Sequence, residues 1–429
     1  MPTLLPETER RGPSAVQPLP RFRIYSRPRD YWAIARDVAT RRWFRGDGCG
    51  ELEETIAKRQ GVAHAICAAK ARVAIFLAVR AIVRPGQKVV LSPYTISDAI
   101  NMVICAGGLP VFADLERETC NLDPAEIERS IDSETGAVMV THLHGLACDM
   151  ERVSAICRER GVALIEDAAQ AFGTRSAGRP VGSFGDAGIY SFGMYKNVNS
   201  FFGGMLVTPH RELAERIRSE VAGFPLQELG YFLSKTSSGL ASDVATWPPL
   251  FKTLTYRIFR FGFLHDVALL NNQVTVDQHP EIKRELPESY LRRLTPMQAR
   301  LVLDQLDRVD EHIRARIRAA ERYHAGLRDL PDVLLPPLRT DLSHTYAYFP
   351  IQVPDRRDFL RHMMRERRDV AAQHLHNCAD LPCFREFQRD CPNARATARS
   401  VVLLPTYPRY GTADIDRNVE TTRRYFGVR

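Results

Sequence analysis

Val162-Ala163-Leu164-Ile165-Glu166-Asp167 decides how the chain is read. Four consecutive apolar residues fit a strand buried on both faces, and that strand delivers two carboxylates to its C-terminal end. A second run, Ala187–Phe192, reads the same way and leads through Gly193-Met194-Tyr195 to Lys196. Around these two, residues 62–208 alternate strands with helices. Further strands are expected at Val89–Leu91, Val111–Ala113, Ala137–Thr141 and Gly204–Thr208, and helices over 71–82, 124–131 and 150–159. Such alternation predicts an α/β fold whose large domain holds a mostly parallel sheet covered on both faces. Ligands of open sheets of this kind bind beyond the carboxyl ends of the strands, where Asp167 falls.

A carboxylate at one strand end and a lysine just beyond another are the pair that pyridoxal 5'-phosphate chemistry requires. The lysine forms the Schiff base, and the carboxylate keeps the pyridine nitrogen protonated so that the ring accepts electrons. Glu166-Asp167-Ala168-Ala169-Gln170-Ala171, Val181-Gly182-Ser183-Phe184-Gly185-Asp186-Ala187, Ser191-Phe192 and Lys196-Asn197 resemble the DegT/StrS-like sugar aminotransferases. Pro85-Gly86, Gly107–Asp114, Thr141-His142-Leu143-His144-Gly145 and Leu403–Pro408 extend the likeness over residues 46–429, with a divergent stretch at 224–290. The resemblance implies a fold-type-I enzyme that aminates a keto-sugar, usually nucleotide-linked, with an amino acid such as glutamate as donor. It implies Lys196 and Asp167 as catalytic residues that also hold the cofactor, Gln170 against the ring and Ser191 on the phosphate. It further implies a homodimer, with Arg293 in the place of an arginine that crosses the subunit boundary. His142 and His144 read as core or loop histidines rather than catalytic acids, and a helix N-cap is the alternative role for Asp167.

The chain departs from that family around the expected phosphate site. A Ser-Gly-Thr turn is replaced by Ala69-Lys70-Ala71, which removes the hydroxyls and puts a residue averse to positive φ in place of glycine. Lys70 and Arg72 supply positive charge there instead. Ile96 stands where an aromatic ring would stack on the cofactor, and it can cover the ring face without stacking. Phe201-Phe202-Gly203-Gly204 loses the family's acid, and Leu291 replaces an asparagine. The expected cofactor contacts are therefore Lys196, Asp167, Gln170, Ser191, Lys70, Ala71 and Ile96. The competing readings are an atypical enzyme of the same cofactor and a cofactor-poor binding or regulatory protein on the same fold.

Composition sets the outer bounds. With 429 residues, 45% hydrophobic and 26% charged, the chain has the makeup of an ordinary globular protein large enough for two domains. Its nine cysteines lack the spacing of a disulfide framework, and no apolar signal segment opens the sequence. A cytoplasmic location is expected. A net charge of +8 suits an anionic substrate or a plain solvated surface; no nucleic-acid partner is implied. His374, His376, Cys378, Cys383 and Cys391 lack the Cys-x-x-Cys knuckle of a zinc site, so no metal is expected.

The organisation expected is an N-terminal arm and helix over 1–45, a cofactor-binding large domain over 46–294, and a linking helix with a smaller α+β domain over 295–429. Residues 1–30, rich in proline and arginine, read as a mobile arm. Helices are expected at Tyr31–Arg42, Gly50–Gln60, Thr295–Leu327 and Arg356–Arg368, and a strand at Thr345–Val353. Trp247–Asn272 reads as a basic amphipathic helix, with Leu250, Leu254, Ile258 and Phe261 on one face and Lys252 and Arg260 turned away. Packing on the protein or at a dimer contact is the expectation for that face. The alternative is peripheral membrane contact, or contact with a lipid-linked substrate at the entrance, through 247–272.

Overall fold

Seven strands form the central sheet of the computed structural model, which describes residues 18–24, 26–267 and 280–428. They are β1 (His64–Ala68), β2 (Lys88–Leu91), β3 (Leu109–Phe112), β4 (Thr135–Thr141), β5 (Ala163–Asp167), β6 (Ala187–Ser191) and β7 (Gly204–Thr208). Their spatial order is β1-β7-β6-β5-β4-β2-β3, parallel from β6 through β3, with β7 and β1 antiparallel at one edge. The mostly parallel sheet expected from the alternation is therefore present. β1 went unread in the sequence because His64–Ala68 is short, poor in β-branched residues and close behind a helix. That helix, Gly48–Gln60, ends on Gly61 at φ 65°, a left-handed cap that turns the chain into the strand.

The parallel strands end together. β4 runs into His142, β5 stops at Asp167 and β6 at Ser191, so the expected site residues share one edge. Neighbouring residues of a strand point to opposite faces, and this separates the two acids of β5. Glu166 is fully buried and gathers four donors: Gly182 N–H (2.7 Å) and His142 Nε2 (3.1 Å) on Oε2, Phe184 N–H (2.6 Å) and Gly185 N–H (2.8 Å) on Oε1. His142 Nδ1 accepts from Cys148 N–H (3.1 Å), so the ring proton lies on Nε2, facing the carboxylate. The loop 182–185 is thus strapped across β6. A Cβ on Gly188 would stand 1.9 Å from Gly182 O, so no larger residue fits beneath the strap.

A second sheet of three antiparallel strands, ordered Phe349–Gln352, Val401–Leu404 and Ala371–Ala372, lies toward the C-terminus. The expected strand 345–353 is shortened to its buried centre. The single long helix expected over Thr295–Leu327 is two helices, Pro296–Leu306 and Val309–Leu327. Thr295 and Gln298 cap the first reciprocally. At its end Arg308 N–H bonds Gln305 O, a tighter three-residue turn that breaks the ladder.

The mobile arm is also corrected for the residues described. Arg21 pairs with buried Asp369 (2.6 Å), Tyr407 donates to Pro20 O (2.9 Å), and Ile24 is buried. Composition speaks for mobility, but these tertiary partners anchor the backbone at 18–24. In the divergent stretch, helical structure covers Pro248–Leu264, with a wider turn at Phe251–Thr255. Residues 268–272 of the expected helix lie outside the described residues. The apolar face named from the sequence points outward: Leu254, Ile258 and Phe261 are exposed, while Phe251 and Tyr256 are buried with Met364. Periodicity alone cannot tell which of two apolar faces is the inner one.

Glu166→Gln places an amide NH2 against two donors whichever way it is turned. Each hydrogen bond to a charged acceptor contributes roughly 1.5–3 kcal/mol, so the variant should lose about 3 kcal/mol of stability. The shift of the urea midpoint measures it.

Candidate active site

Asp167 is buried at the end of β5, and the one hydrogen bond to its carboxylate among the described residues comes from Ala169 N–H to Oδ1 (3.0 Å). This is a turn closed on the aspartate itself; no helix follows, so the N-cap alternative does not apply. Burial raises its pKa, and Ala169 N–H and the nearby ammonium of Lys196 oppose the rise. Lys196 feels the converse. Burial depresses its pKa and Asp167 counters the loss, so the two side chains are electrostatically coupled across the cleft.

Lys196 sits on a tight turn, its N–H bonded to Gly193 O (3.0 Å), just beyond β6. Ser191 lies at the end of β6, paired across the sheet with Gly204, which in turn pairs with Ala68 of β1. This lateral register brings the Ala69-Lys70-Ala71 turn beside Ser191. Gly204 is required there, since a Cβ would stand 2.5 Å from Ala71 N.

Ala71 opens the helix Ala71–Ile82, and Lys70 precedes it at φ −151° and ψ 148°. The expected conflict between Lys70 and a positive φ is thereby corrected: the turn is built from extended backbone that any residue adopts. The Lys70 side chain makes no capping hydrogen bond to this helix, and helix N-termini are natural anion seats. Around it, Lys70 Nζ lies 4.1 Å from the Tyr290 ring centre and 5.2 Å from that of Tyr231. Arg72, Lys235 and Lys283 complete a cationic cluster. Its one carboxylate partner among the described residues is Asp98, bonded by Arg72, Lys283 and Tyr290. Burial and the repulsion of Arg72 and Lys235 push Lys70 down to about 8. A bound anion would relieve that repulsion.

Gln170 and Ile96 are placed less directly. Gln170 Oε1 accepts from His144 N–H (3.1 Å), tying the loop after β4 to the loop after β5. Ile96, partly buried, immediately precedes the helix Ser97–Cys105. His144 is buried and bonded to Gln373 (2.9 Å), and burial with nearby His374 holds it down at about 3. Among the described residues no group of His, Cys, Asp or Glu could hold a metal ion.

The sequence profile of the DegT/DnrJ/EryC1/StrS aminotransferase family matches residues 30–238 and 265–423. The chain belongs to this family. It is 28% identical over 391 residues to the spore coat polysaccharide biosynthesis protein SpsC of Bacillus subtilis (strain 168), covering 88% of this chain and 90% of that one. It is 29% identical over 347 residues to a dTDP-4-dehydro-2,3,6-trideoxy-D-glucose 4-aminotransferase of Saccharopolyspora spinosa, covering 80% and 79%. Among solved structures, DesI in the presence of its TDP-sugar product superposes with a TM-score of 0.70 at 26% identity, covering 96% and 93%.

The family match leaves 239–264 of this aminotransferase unmatched, and the helix Leu229–Ala245, which runs across that boundary, packs on a departure in the site. The helix Leu229–Ala245 lays Phe232 and Tyr231 onto Phe201 and Phe202. The residues that replace the family's acid are thus the seat of the divergent helix. Tyr195, next to Lys196, bonds Ser242 through its hydroxyl (3.2 Å) and meets the Phe22 ring at 5.5 Å. Tyr195, Tyr231, Tyr290 and Phe22 were missed in the sequence because no local motif links positions so far apart.

Sulfate keeps its charge between pH 6 and 10 in about equal measure, so it reports the protein's own titration. Protonated Lys70 attracts it and neutral Lys70 does not. Sulfate affinity should therefore be highest below pH 8 and fall as pH rises through about 8. Titration calorimetry across that range tests this, and Lys70→Met should flatten the profile.

Proposed function

We propose that this aminotransferase transfers an amino group from an amino acid such as glutamate to a keto-sugar carried on a nucleotide, using pyridoxal 5'-phosphate. The observation that carries the reading is the coupled Asp167–Lys196 pair lying at the same sheet edge as a cationic helix N-terminus. The residues fit the cofactor. Asp167 is a buried carboxylate with acceptor capacity left for a pyridinium, and the 69–71 turn offers an anion seat beside Ser191.

When bound, the cofactor supplies a carbonyl that takes up the amino group and a ring that accepts electrons. The protein's part follows from its own groups. Burial lowers the affinity of Lys196 Nζ for its proton, which favours the free amine needed both as nucleophile and as carrier of the proton from the substrate carbon. Asp167 holds the positive charge on the pyridine nitrogen. Lys70 and Arg72 take over the phosphate from the missing hydroxyls, with Ser191 alongside and Ile96 covering the ring face. Four cations against one carboxylate among the described residues exceed what a single phosphate needs, which supports a diphosphate-linked sugar. Relatives that include a dTDP-sugar 4-aminotransferase and GDP-perosamine synthases support the same class.

The domain division at 294–295 and a homodimer with Arg293 at the subunit boundary complete the proposal; Arg293 is exposed. The reading of a cofactor-poor protein rests on the missing hydroxyls, and the absence of any borohydride-reducible adduct would favour it.

Lys196→Ala should abolish both that adduct and transamination, whereas an undiminished adduct would remove Lys196 from the reaction. Asp167→Asn should bind the cofactor but turn over at least about a hundredfold more slowly. Absorbance with added pyridoxal phosphate and a donor-screened transamination assay give the two readouts.

A further inference from the structure

We propose that the segment 239–264, with the outer face of the helix leading into it, docks this enzyme onto an anionic lipid surface. The segment lies outside the family match, so its outer surface is not demanded by the shared fold. Leu233, Leu240, Trp247, Leu254 and Phe261 recur every seven residues, and each is 37–58% exposed. Val244 and Ile258 extend the same faces at 51% and 43% exposure.

This exposure does not come from helices that failed to pack. Their inner faces are filled. Gly239 lies so close to Phe201 that a Cβ would stand 2.6 Å from its ring. Phe232, Phe251 and Tyr256 are buried, and both Tyr256 Oη and Arg260 Nε donate to Met364 O (3.0 Å each). With one face anchored on the protein, a second apolar face is left outward, and contiguous patches of this kind mark interaction sites.

The charge beside the patch selects the partner. A cavity of about 440 Å³ flanks the helix Tyr256–Leu264, and Lys252, Arg257, Arg260, His265 and Arg367 line it, with no acid among the described residues of its walls. The nearest acid along the chain, Asp266, is already paired with Arg357 and Arg361. Apolar side chains flanked by cations on a helix lying along the surface are the pattern that settles at the boundary of anionic headgroups and acyl chains. No helix among the described residues is long and apolar enough to cross a membrane, so the contact is with the surface. A second copy of the same face suits the charge less well. A two-fold interface would set these cations against their equivalents, on a chain whose net charge is already +8.

The test is co-sedimentation of the full-length protein with vesicles of phosphatidylcholine alone and of phosphatidylcholine mixed with phosphatidylglycerol. The protein should pellet with the mixed vesicles, stay behind with the neutral ones, and be released by added salt. Leu254→Ser with Phe261→Ser, and separately Lys252→Gln with Arg257→Gln, should each lower the bound fraction about tenfold and leave transamination unchanged. No binding, equal binding to both vesicles, or binding that ignores both variant pairs would overturn the proposal. So would a change in the sedimentation mass of the vesicle-free protein on Leu254→Ser with Phe261→Ser, which would identify the face as a contact between copies. The readout needs neither cofactor nor turnover, so it stands apart from the assignment of the reaction.

Discussion

A buried carboxylate can persist only where donors surround it, and Glu166 is the point at which this constraint organises the molecule. Its four donors come from the strap 182–185 and from His142. The same contacts hold the loop after β4 and the loop before β6 against the strand between them. Strand geometry then does the rest. With Glu166 turned into the strap, Asp167 must point to the other face of the sheet, level with Ile189 of β6, two residues before Ser191 and seven before Lys196. An acid sealed among four donors thus fixes the direction of the acid proposed to carry the chemistry.

The cleft itself is an arrangement of charges held away from their ordinary states. Lys196 and Asp167 each pay for burial and each moderates the other. Lys70 sits among cations and over two tyrosine rings, with its proton weakened. Such groups cluster where a charged ligand is expected to complete the field. The family's hydroxyl-based phosphate turn depends on short side chains and a tight backbone. Here extended backbone, a helix N-terminus and long cationic side chains stand at Ala69-Lys70-Ala71, and the proposed anion seat rests on them.

The divergent segment links that change to the surface. Its helix Leu229–Ala245 brings Tyr231 and Lys235 to the Lys70 cluster and presses Phe232 onto Phe201 and Phe202. The following helix crosses to Met364. Phe201, Phe202 and Lys70, three positions where the chain departs from the expected pattern, therefore all touch the one helix Leu229–Ala245. The face that element turns outward is apolar and flanked by cations, and it lies beside the residues that border Lys196.

The sequence by itself determined the sheet, its mostly parallel sense, and the placing of Asp167 and Ser191 at strand ends. These follow from local rules: apolar runs of strand length, helical spacing between them, and side chains fixed to the ends of the strands that carry them. It also determined that the phosphate turn departs from its family. Only the tertiary structure decided what the neighbouring Glu166 does, because its four donors come from His142 and from a loop that folds back over the strand. Only it decided that residues 18–24 are anchored, since their partners, Asp369 and Tyr407, lie more than three hundred positions away. The inner face of Pro248–Leu264 was likewise undecided by periodicity, because both faces carry apolar residues and burial depends on where Met364 lies. Interactions between positions near in sequence can be read from spacing; those that depend on the chain returning to itself cannot.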